Sequence, residues 1–293
     1  MEQRVVLITG CSSGIGLSLA VHLASDPAKS YKVYASMRNL AKKERLLESV
    51  KGFHKDTLDI IQMDITDLQS IQDAKEKITE NRVDILVCNA AVGLMGPLET
   101  LSQDTMRQTL DVNLLGTIRT IQTFLPGMKA RRSGRVLVTG SIGGLQGLPF
   151  NEVYCASKFA VEGVCESLAI LLQHFNIHVS LIESGPVNTH FLSNLGRSRP
   201  GEAALLQLDP LTRDLYDTYL EHCSAVFHSA AQDTQDIVQV FLEAIKSPSP
   251  SLRYYANSAL LPITSLKLAM HDGSQYIKAM SKLIFSSSSL EDA

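Results

Sequence analysis

Six short, mainly apolar runs rich in Val, Ile and Leu alternate with stretches of helical spacing along the chain up to about residue 185. The runs are Val5–Ile8, Lys32–Ala35, Leu58–Met63, Asp84–Val87, Arg135–Thr139 and His178–Ile182. A strand with one wet face alternates apolar and polar residues, whereas a strand apolar throughout must be covered on both faces. A parallel sheet between two helical layers provides that cover, so the pattern predicts a doubly wound α/β fold. Leu17–Ala24 reads as a helix. So does Asp67–Thr79, with Asp67 as N-cap, and so does Ser102–Leu125, which is expected to end before Pro126-Gly127.

A chain of 293 residues accommodates this as one domain, expected over residues 1–285, with 286–293 as a frayed tail. From about 190 to 230 the strand–helix rhythm stops. In a doubly wound sheet ligands sit outside the carboxyl ends of the strands, so this excursion is read as a substrate lid, with a plain surface insertion as the alternative. A net charge of −3 gives no basic field, and no nucleic-acid partner is expected; any anionic cofactor must be held locally. Five cysteines without CxxC spacing suit a reducing cytoplasm, and no metal site is read. No secretory signal precedes the first strand, and no apolar run approaches the roughly 18 residues of a membrane span, so a soluble cytoplasmic protein is expected. The charge-poor Ala259–Ile263 can line an apolar pocket or touch a membrane surface.

The turn after the first strand reads Thr9-Gly10-Cys11-Ser12-Ser13-Gly14-Ile15-Gly16. Glycines let a backbone approach a pyrophosphate closely, and the helix that follows presents free N–H groups to it. The spacing is GxxxGxG, different from the common GxGxxG of dinucleotide sites. At the end of the second run, Ala35-Ser36-Met37-Arg38 lacks the carboxylate that accepts from an NAD ribose. Arg38, with Ser12, can instead pair with a 2′-phosphate, which points to NADP(H); the plain alternative is a solvated cation.

Tyr154 and Lys158 stand four apart at the opening of an apolar helix, with Ser141 thirteen positions upstream after a strand. Positions i and i+4 share a helix face, so the ammonium is expected beside the phenol, lowering its pKa toward a value useful for proton transfer. Ser141 then supplies a hydroxyl to orient a carbonyl or alcohol oxygen. An exposed helical pair is the alternative for Tyr154 and Lys158 taken alone.

With these motifs the chain resembles the short-chain dehydrogenase/reductase family, strongly over residues 3 to about 192. Gly10, Gly14 and Gly16 match the family's cofactor loop, and Asp64 matches the residue that caps the adenine. Cys88-Asn89-Ala90-Ala91 stands where the family has Asn-Asn-Ala-Gly: Asn89 is kept, while Ala91 needs a backbone conformation that tolerates a Cβ. Asn113 matches the helix asparagine that joins the lysine to solvent through a water. Gly185-Pro186-Val187-Asn188-Thr189 replaces a Pro-Gly-x-x-x-Thr segment, so Val187 and Thr189 become the candidates for the nicotinamide carboxamide. The resemblance implies a single Rossmann-type sheet, Asn113, Ser141, Tyr154 and Lys158 as catalytic residues, and Lys158 also on the nicotinamide ribose. Cofactor contacts from Ser12, Ser13, Ile15 and Asn89 are implied as well, and a homodimer through the helices starting near Ser102 and Val153.

Gly134–Ser141, Gly147–Lys158, Cys165–Leu168 and Tyr219–His222 look like members that act at C17 of steroids, and next to them members that act on all-trans-retinol. His222 matches the residue meeting the far steroid hydroxyl, but its acidic partner appears here as Leu283. The expected function is an NADP(H)-dependent ketosteroid reductase, with Ser141, Leu148, Tyr154, His222 and Phe227 on the substrate and Ile142, Pro186, Val187, Val226 and Met280 as further wall candidates. A retinoid dehydrogenase and a catalytically idle nucleotide-binding scaffold remain the alternatives.

Overall fold

All seven strands lie parallel in one sheet of order β3-β2-β1-β4-β5-β6-β7: β1 (Arg4–Ile8), β2 (Tyr31–Met37), β3 (Leu58–Gln62), β4 (Ile85–Cys88), β5 (Gly134–Thr139), β6 (Ile177–Glu183) and β7 (Arg253–Tyr255). The computed structural model describes residues 2–50, 56–189, 201–269 and 272–285. Residues 190–200 of the expected lid and the expected tail 286–293 lie outside them. The helices are α1 (Gly14–Ala24), α2 (Glu44–Ser49), α3 (Leu68–Glu76), α4 (Gln103–Leu110), α5 (Thr117–Arg131), α6 (Ile142–Leu145), α7 (Glu152–Leu172), α8 (Glu202–Leu205), α9 (Pro210–Ala230), α10 (Thr234–Lys246), α11 (Leu261–Ala269) and α12 (Ser274–Phe285).

The strand side chains divide by parity, as a pleated strand requires. Val5, Leu7, Leu86, Val136 and Leu181 pack with Ile71, Phe124, Met128 and Cys165 on one face; Val6, Ile8, Val87, Leu137 and Ile182 pack with Leu19, Leu23, Ile237 and Phe241 on the other. A third cluster, Met95, Tyr216, Tyr219, Tyr276, Met280 and Ile284, joins α9 to α12, with Leu148 and Phe150 packed against it. Sequence order reverses between β1 and β4, which opens the crevice at the carboxyl ends of these strands. No described helix is long and apolar enough to cross a membrane.

Two expectations are corrected. The helix from Ser102 neither runs unbroken nor stops at Pro126: a π-helical segment, Asp111–Gly116, separates α4 from α5, and Pro126 lies inside α5. A proline inside a helix costs about 3 kcal/mol. Here the ring and the Gln122 turn below it face solvent, while Thr117, Ile121, Phe124 and Met128 bury the opposite face. Burial of these side chains, roughly 1.5–3 kcal/mol for each large one, carries the helix through. The seventh strand went unread because β7 is three residues of Arg and Tyr. By contrast, Asp67 caps α3, accepting from the Gln69 N–H at 2.9 Å, as expected.

Candidate active site

The glycine turn is built to receive an anion. Gly10 and Gly14 have φ of +76° and +60°, a region that penalises a Cβ. A Cβ on Gly10 would sit 2.8 Å from Ala90 Cα, one on Gly16 would sit 2.5 Å from Asn89 Nδ2, and one on Gly14 would meet Thr189 Cγ2 at 3.2 Å. The turn therefore packs against the end of β4 and against Thr189. Ser13 is the N-cap of α1, yet its side chain makes no capping hydrogen bond, and the first turn carries no acid. Those N–H groups have no intrahelical acceptor, and the helix dipole favours a negative charge there. Ser12 and Ser13 are half-buried beside them, and Ile15 packs into the core beneath. The residues present fit a nucleotide pyrophosphate.

Asn89 ties three strands together. Its N–H donates to Thr9 Oγ1 at 2.9 Å, its Nδ2 to the Thr9 carbonyl at 3.0 Å, and its Oδ1 accepts from Thr139 Oγ1 at 3.1 Å. Ala91 is not among the residues of positive φ, so its Cβ is accommodated. Arg38 directly follows β2 and is exposed, with no ion pair among the described residues. Asp64 follows β3, with Oδ1 accepting from the Thr66 N–H at 3.0 Å and the Thr66 hydroxyl at 2.7 Å. Val187 is buried and bridges to Gln232, which holds the Gly185–Thr189 segment over the ends of the strands.

The second half of the site lies at the end of β5. Ser141 caps α6, its Oγ accepting from the Gly143 N–H at 3.1 Å, and the Ser141 side chain also hydrogen-bonds to Tyr154. Lys158 is 5% exposed and its Nζ donates to the Thr139 carbonyl at 2.8 Å. Burial is the largest cause and brings its pKa down to about 8. Burial likewise pushes the Tyr154 phenol up to about 12, with the Ser141 hydrogen bond opposing. The expected lowering of the phenol by Lys158 is thus corrected: the ammonium reaches back to the strand, and desolvation dominates the phenol.

Asn113 sits in the π segment, a form that recurs at functional sites. Its Oδ1 accepts from Val92 N–H at 2.8 Å, and its Nδ2 donates to the Val92 carbonyl at 2.9 Å and to Ser157 Oγ at 3.0 Å. Both amide protons are used, which leaves one acceptor position on Oδ1. The side chain pins α7 one residue before Lys158.

Above these groups, Leu148 and Phe150 meet α9. Phe150 has φ of +58°, a strained value for an aromatic residue, and its ring stands edge-on to Tyr216 at 5.0 Å. Asn151 Nδ2 donates to the Tyr219 hydroxyl at 2.8 Å, so α9 is anchored to the start of α7. His222, Val226 and Phe227 are half-buried on that helix, Ile142 and Pro186 are half-buried, Met280 is buried and Leu283 is 48% exposed.

Sequence reasoning missed Phe150 and a buried carboxyl, Glu183, whose Oε2 accepts from the Ser141 N–H at 2.8 Å. The signal was present: Glu183 is a lone acid ending an apolar strand.

The human 17-beta-hydroxysteroid dehydrogenase type 1 is 51% identical over 97% of this chain and 87% of its own length. Human retinol dehydrogenase 8 is 45% identical over 96% of this chain and 90% of its own length. A short chain dehydrogenase/reductase from Burkholderia phymatum in complex with NAD superposes with a TM-score of 0.77 at 23% identity, covering 94% of this chain and 95% of that one. That likeness shows the fold alone. The short chain dehydrogenase family profile matches residues 4–200, which include the glycine turn, Asn113, Ser141, Tyr154 and Lys158, so this chain is an oxidoreductase belonging to the short-chain dehydrogenase family.

Proposed function

We propose that the protein is an NADP(H)-dependent 17β-hydroxysteroid dehydrogenase that reduces a steroid C17 ketone such as oestrone. The observation that carries this reading is the Ser141–Tyr154 hydrogen bond at the carboxyl edge of the sheet, with Lys158 buried one helical turn further along α7 and an apolar cluster above. The likeness to the steroid enzyme over nearly the whole chain supports the substrate class.

In this reading the Gly10–Gly16 turn and the start of α1 hold the pyrophosphate, Arg38 with Ser12 the 2′-phosphate, and Asp64 the adenine. Val187 and Thr189 meet the carboxamide, and Lys158, with N–H groups beyond the one given to Thr139, the ribose. When bound, the nicotinamide supplies hydride. Ser141 orients the carbonyl oxygen and stabilises its developing negative charge. Tyr154 donates the proton. A phenol raised by burial remains a far stronger acid than the alcohol being formed, so the protonated form found here suits reduction. Asn113 and Lys158 return protons from solvent. Residues 1–285 act as one domain, with 190–230 as the lid, and α4, the π segment, α5 and α7 carry a homodimer contact, with Leu115 exposed on the π segment and Ile170 and Leu171 exposed on α7.

The deciding experiment compares oestrone and all-trans-retinal as substrates with NADPH. Preference for retinal would favour the second reading, supported by the retinol dehydrogenase likeness and by Leu283 where the resemblance implies an acidic partner for His222. Binding of NADPH without turnover of any ketone would favour an idle scaffold.

Three variants test the assignments. Arg38→Asp repels a 2′-phosphate and accepts from a 2′-hydroxyl. Losing a charge-assisted contact of about 1.5–3 kcal/mol lowers the NADPH over NADH ratio of kcat/KM by roughly 10- to 100-fold, and repulsion lowers it further. An unchanged ratio returns Arg38 to the solvated surface. At the far end of the pocket, Leu283→Glu restores a partner for a phenol donor, so oestrone gains on androstenedione by up to about tenfold, since Leu283 is half exposed and the new carboxylate loses little water. His222→Ala acts oppositely, raising KM for oestrone more than for retinal. If neither Leu283→Glu nor His222→Ala alters the ranking of kcat/KM among the three substrates, His222 is a surface residue.

A further inference from the structure

Behind Ser141 lies a set of charged groups that the mechanism above does not use. Glu183 ends β6 and is 2% exposed. Its Oε2 accepts from the Ser141 N–H at 2.8 Å, and its carboxyl packs so closely on Gly140 that a Cβ there would displace it. Its Oε1 is fully buried and has no hydrogen-bond partner among the described residues, and the carboxyl of Glu162, on α7, lies within hydrogen-bonding reach of the Glu183 side chain. Two carboxyl groups hydrogen-bond only if one carries a proton. Glu162 Oε2 accepts from Arg253 Nε at 3.0 Å and Nη2 at 2.7 Å, so the negative charge belongs on Glu162 and the proton on Glu183.

We propose that Glu183 is a positioning residue held as a neutral carboxylic acid: it fixes the Ser141 turn through the Ser141 N–H, donates its own proton to Glu162, and keeps negative charge away from the oxygen at which the reaction builds it.

The physical need is specific. An oxygen gaining negative charge beside Ser141 is opposed by any anion in the same low-dielectric region. A hydrophobic residue would avoid that charge but would leave the Ser141 N–H without an acceptor, and a carboxylate would supply the acceptor together with the charge. A neutral acid supplies the acceptor alone. Burial first, then the adjacent Glu162, pushes Glu183 well above the usual carboxylate range, in agreement with the geometry. The other groups facing it are Lys158, Tyr154 and Cys165 on α7 and Tyr255 on β7, and Lys158 is the one that favours its ionisation. Arg253 and Glu166 complete the network at the surface. When Glu183 ionises at high pH, two facing carboxylates repel. Glu183 cannot retreat past Gly140, so the displacement passes into the Ser141 turn.

This inference rests on the proposed ketone reduction for its kinetic readout, and an infrared measurement separates the two. At neutral pH the wild type is expected to show the carbonyl band of a buried carboxylic acid, which Glu183→Gln abolishes. Absence of the band in wild type, or its persistence in the variant, overturns the proposal whether or not any ketone is turned over. In NADPH-dependent ketone reduction, Glu183→Ala should lose tenfold or more in kcat with a smaller change in KM, and Glu183→Gln, which keeps a neutral acceptor and donor, should recover most of it. The pH profile gives the sign: Glu183→Gln moves the alkaline limb of kcat to higher pH. Movement to lower pH would mean that Glu183 works as a carboxylate sustaining the Lys158 charge, and an unmoved limb would mean a structural role only; either result overturns the proposal.

Discussion

Replacing Tyr154 by phenylalanine is expected to lower kcat for ketone reduction by roughly 10²- to 10⁴-fold, the range for loss of a positioned general acid, with little change in cofactor affinity or fold. The ring keeps its place beside Gly143, where a Cβ would lie 3.1 Å from Tyr154 Cε1. Ser141 Oγ still accepts from the Gly143 N–H, so the α6 turn keeps its cap. Removing one hydroxyl should therefore change stability by no more than about 1 kcal/mol. The contrast between a large loss in kcat and a constant NADPH affinity, read by fluorescence titration, identifies the proton donor. Turnover near the wild-type level in the folded variant would show that the substrate oxygen takes its proton elsewhere. The protonated phenol also fixes a pH expectation. Reduction holds steady through neutral pH and declines on the alkaline side as Lys158, at about 8, loses its charge and Glu183 ionises behind Ser141, well before the phenol at about 12.

The parts of this site legible in the sequence are those whose chemistry is local. The first six strands could be read because covering a sheet on both faces demands apolar residues at nearly every position. The glycine turn could be read because its backbone conformation and its function require the same residue type within eight positions. Spacing also told correctly that Tyr154 and Lys158 share one helix. It could not tell which acceptor the ammonium reaches, because the Thr139 carbonyl lies nineteen positions upstream, on a strand that only the tertiary fold brings there. The same holds for Glu183. A lone acid ending an apolar strand is visible as an oddity, but its proton depends on Glu162, twenty-one positions before it, and on Arg253, seventy after. Arg253 lies in the very strand whose brevity hid it. At Pro126 the sequence rule failed because a helix-breaking cost of a few kcal/mol competes with burial that a local reading does not count.

Lys158→Met should separate what Lys158 does for the fold from what it does for catalysis. Methionine has similar length and no charge, so the variant removes a buried ammonium while filling the space. The pKa of Lys158 falls from 10.5 to about 8 on folding, chiefly by burial, which corresponds to a destabilisation of roughly 3 kcal/mol while the group stays charged. The sign follows directly: a lysine depressed in the folded state destabilises it fully below pH 8, and that penalty disappears as pH rises to the unfolded value near 10.5. Against this gain, methionine leaves the Thr139 carbonyl without its donor, a cost of about 1–3 kcal/mol for a buried acceptor. The burial of charge outweighs the lost hydrogen bond, so the variant is expected to be as stable as wild type or about 1 kcal/mol more stable at pH 7, with the difference turning against it as pH approaches 10.5. Turnover should move the other way, falling by about 100-fold or more as both proton return and the ribose contact are lost, and KM for NADPH should rise with it. Thermal unfolding of both proteins across pH 6 to 11, together with steady-state kinetics, decides the matter: a uniform loss of stability with unchanged kcat would make Lys158 an anchor of β5 and nothing more.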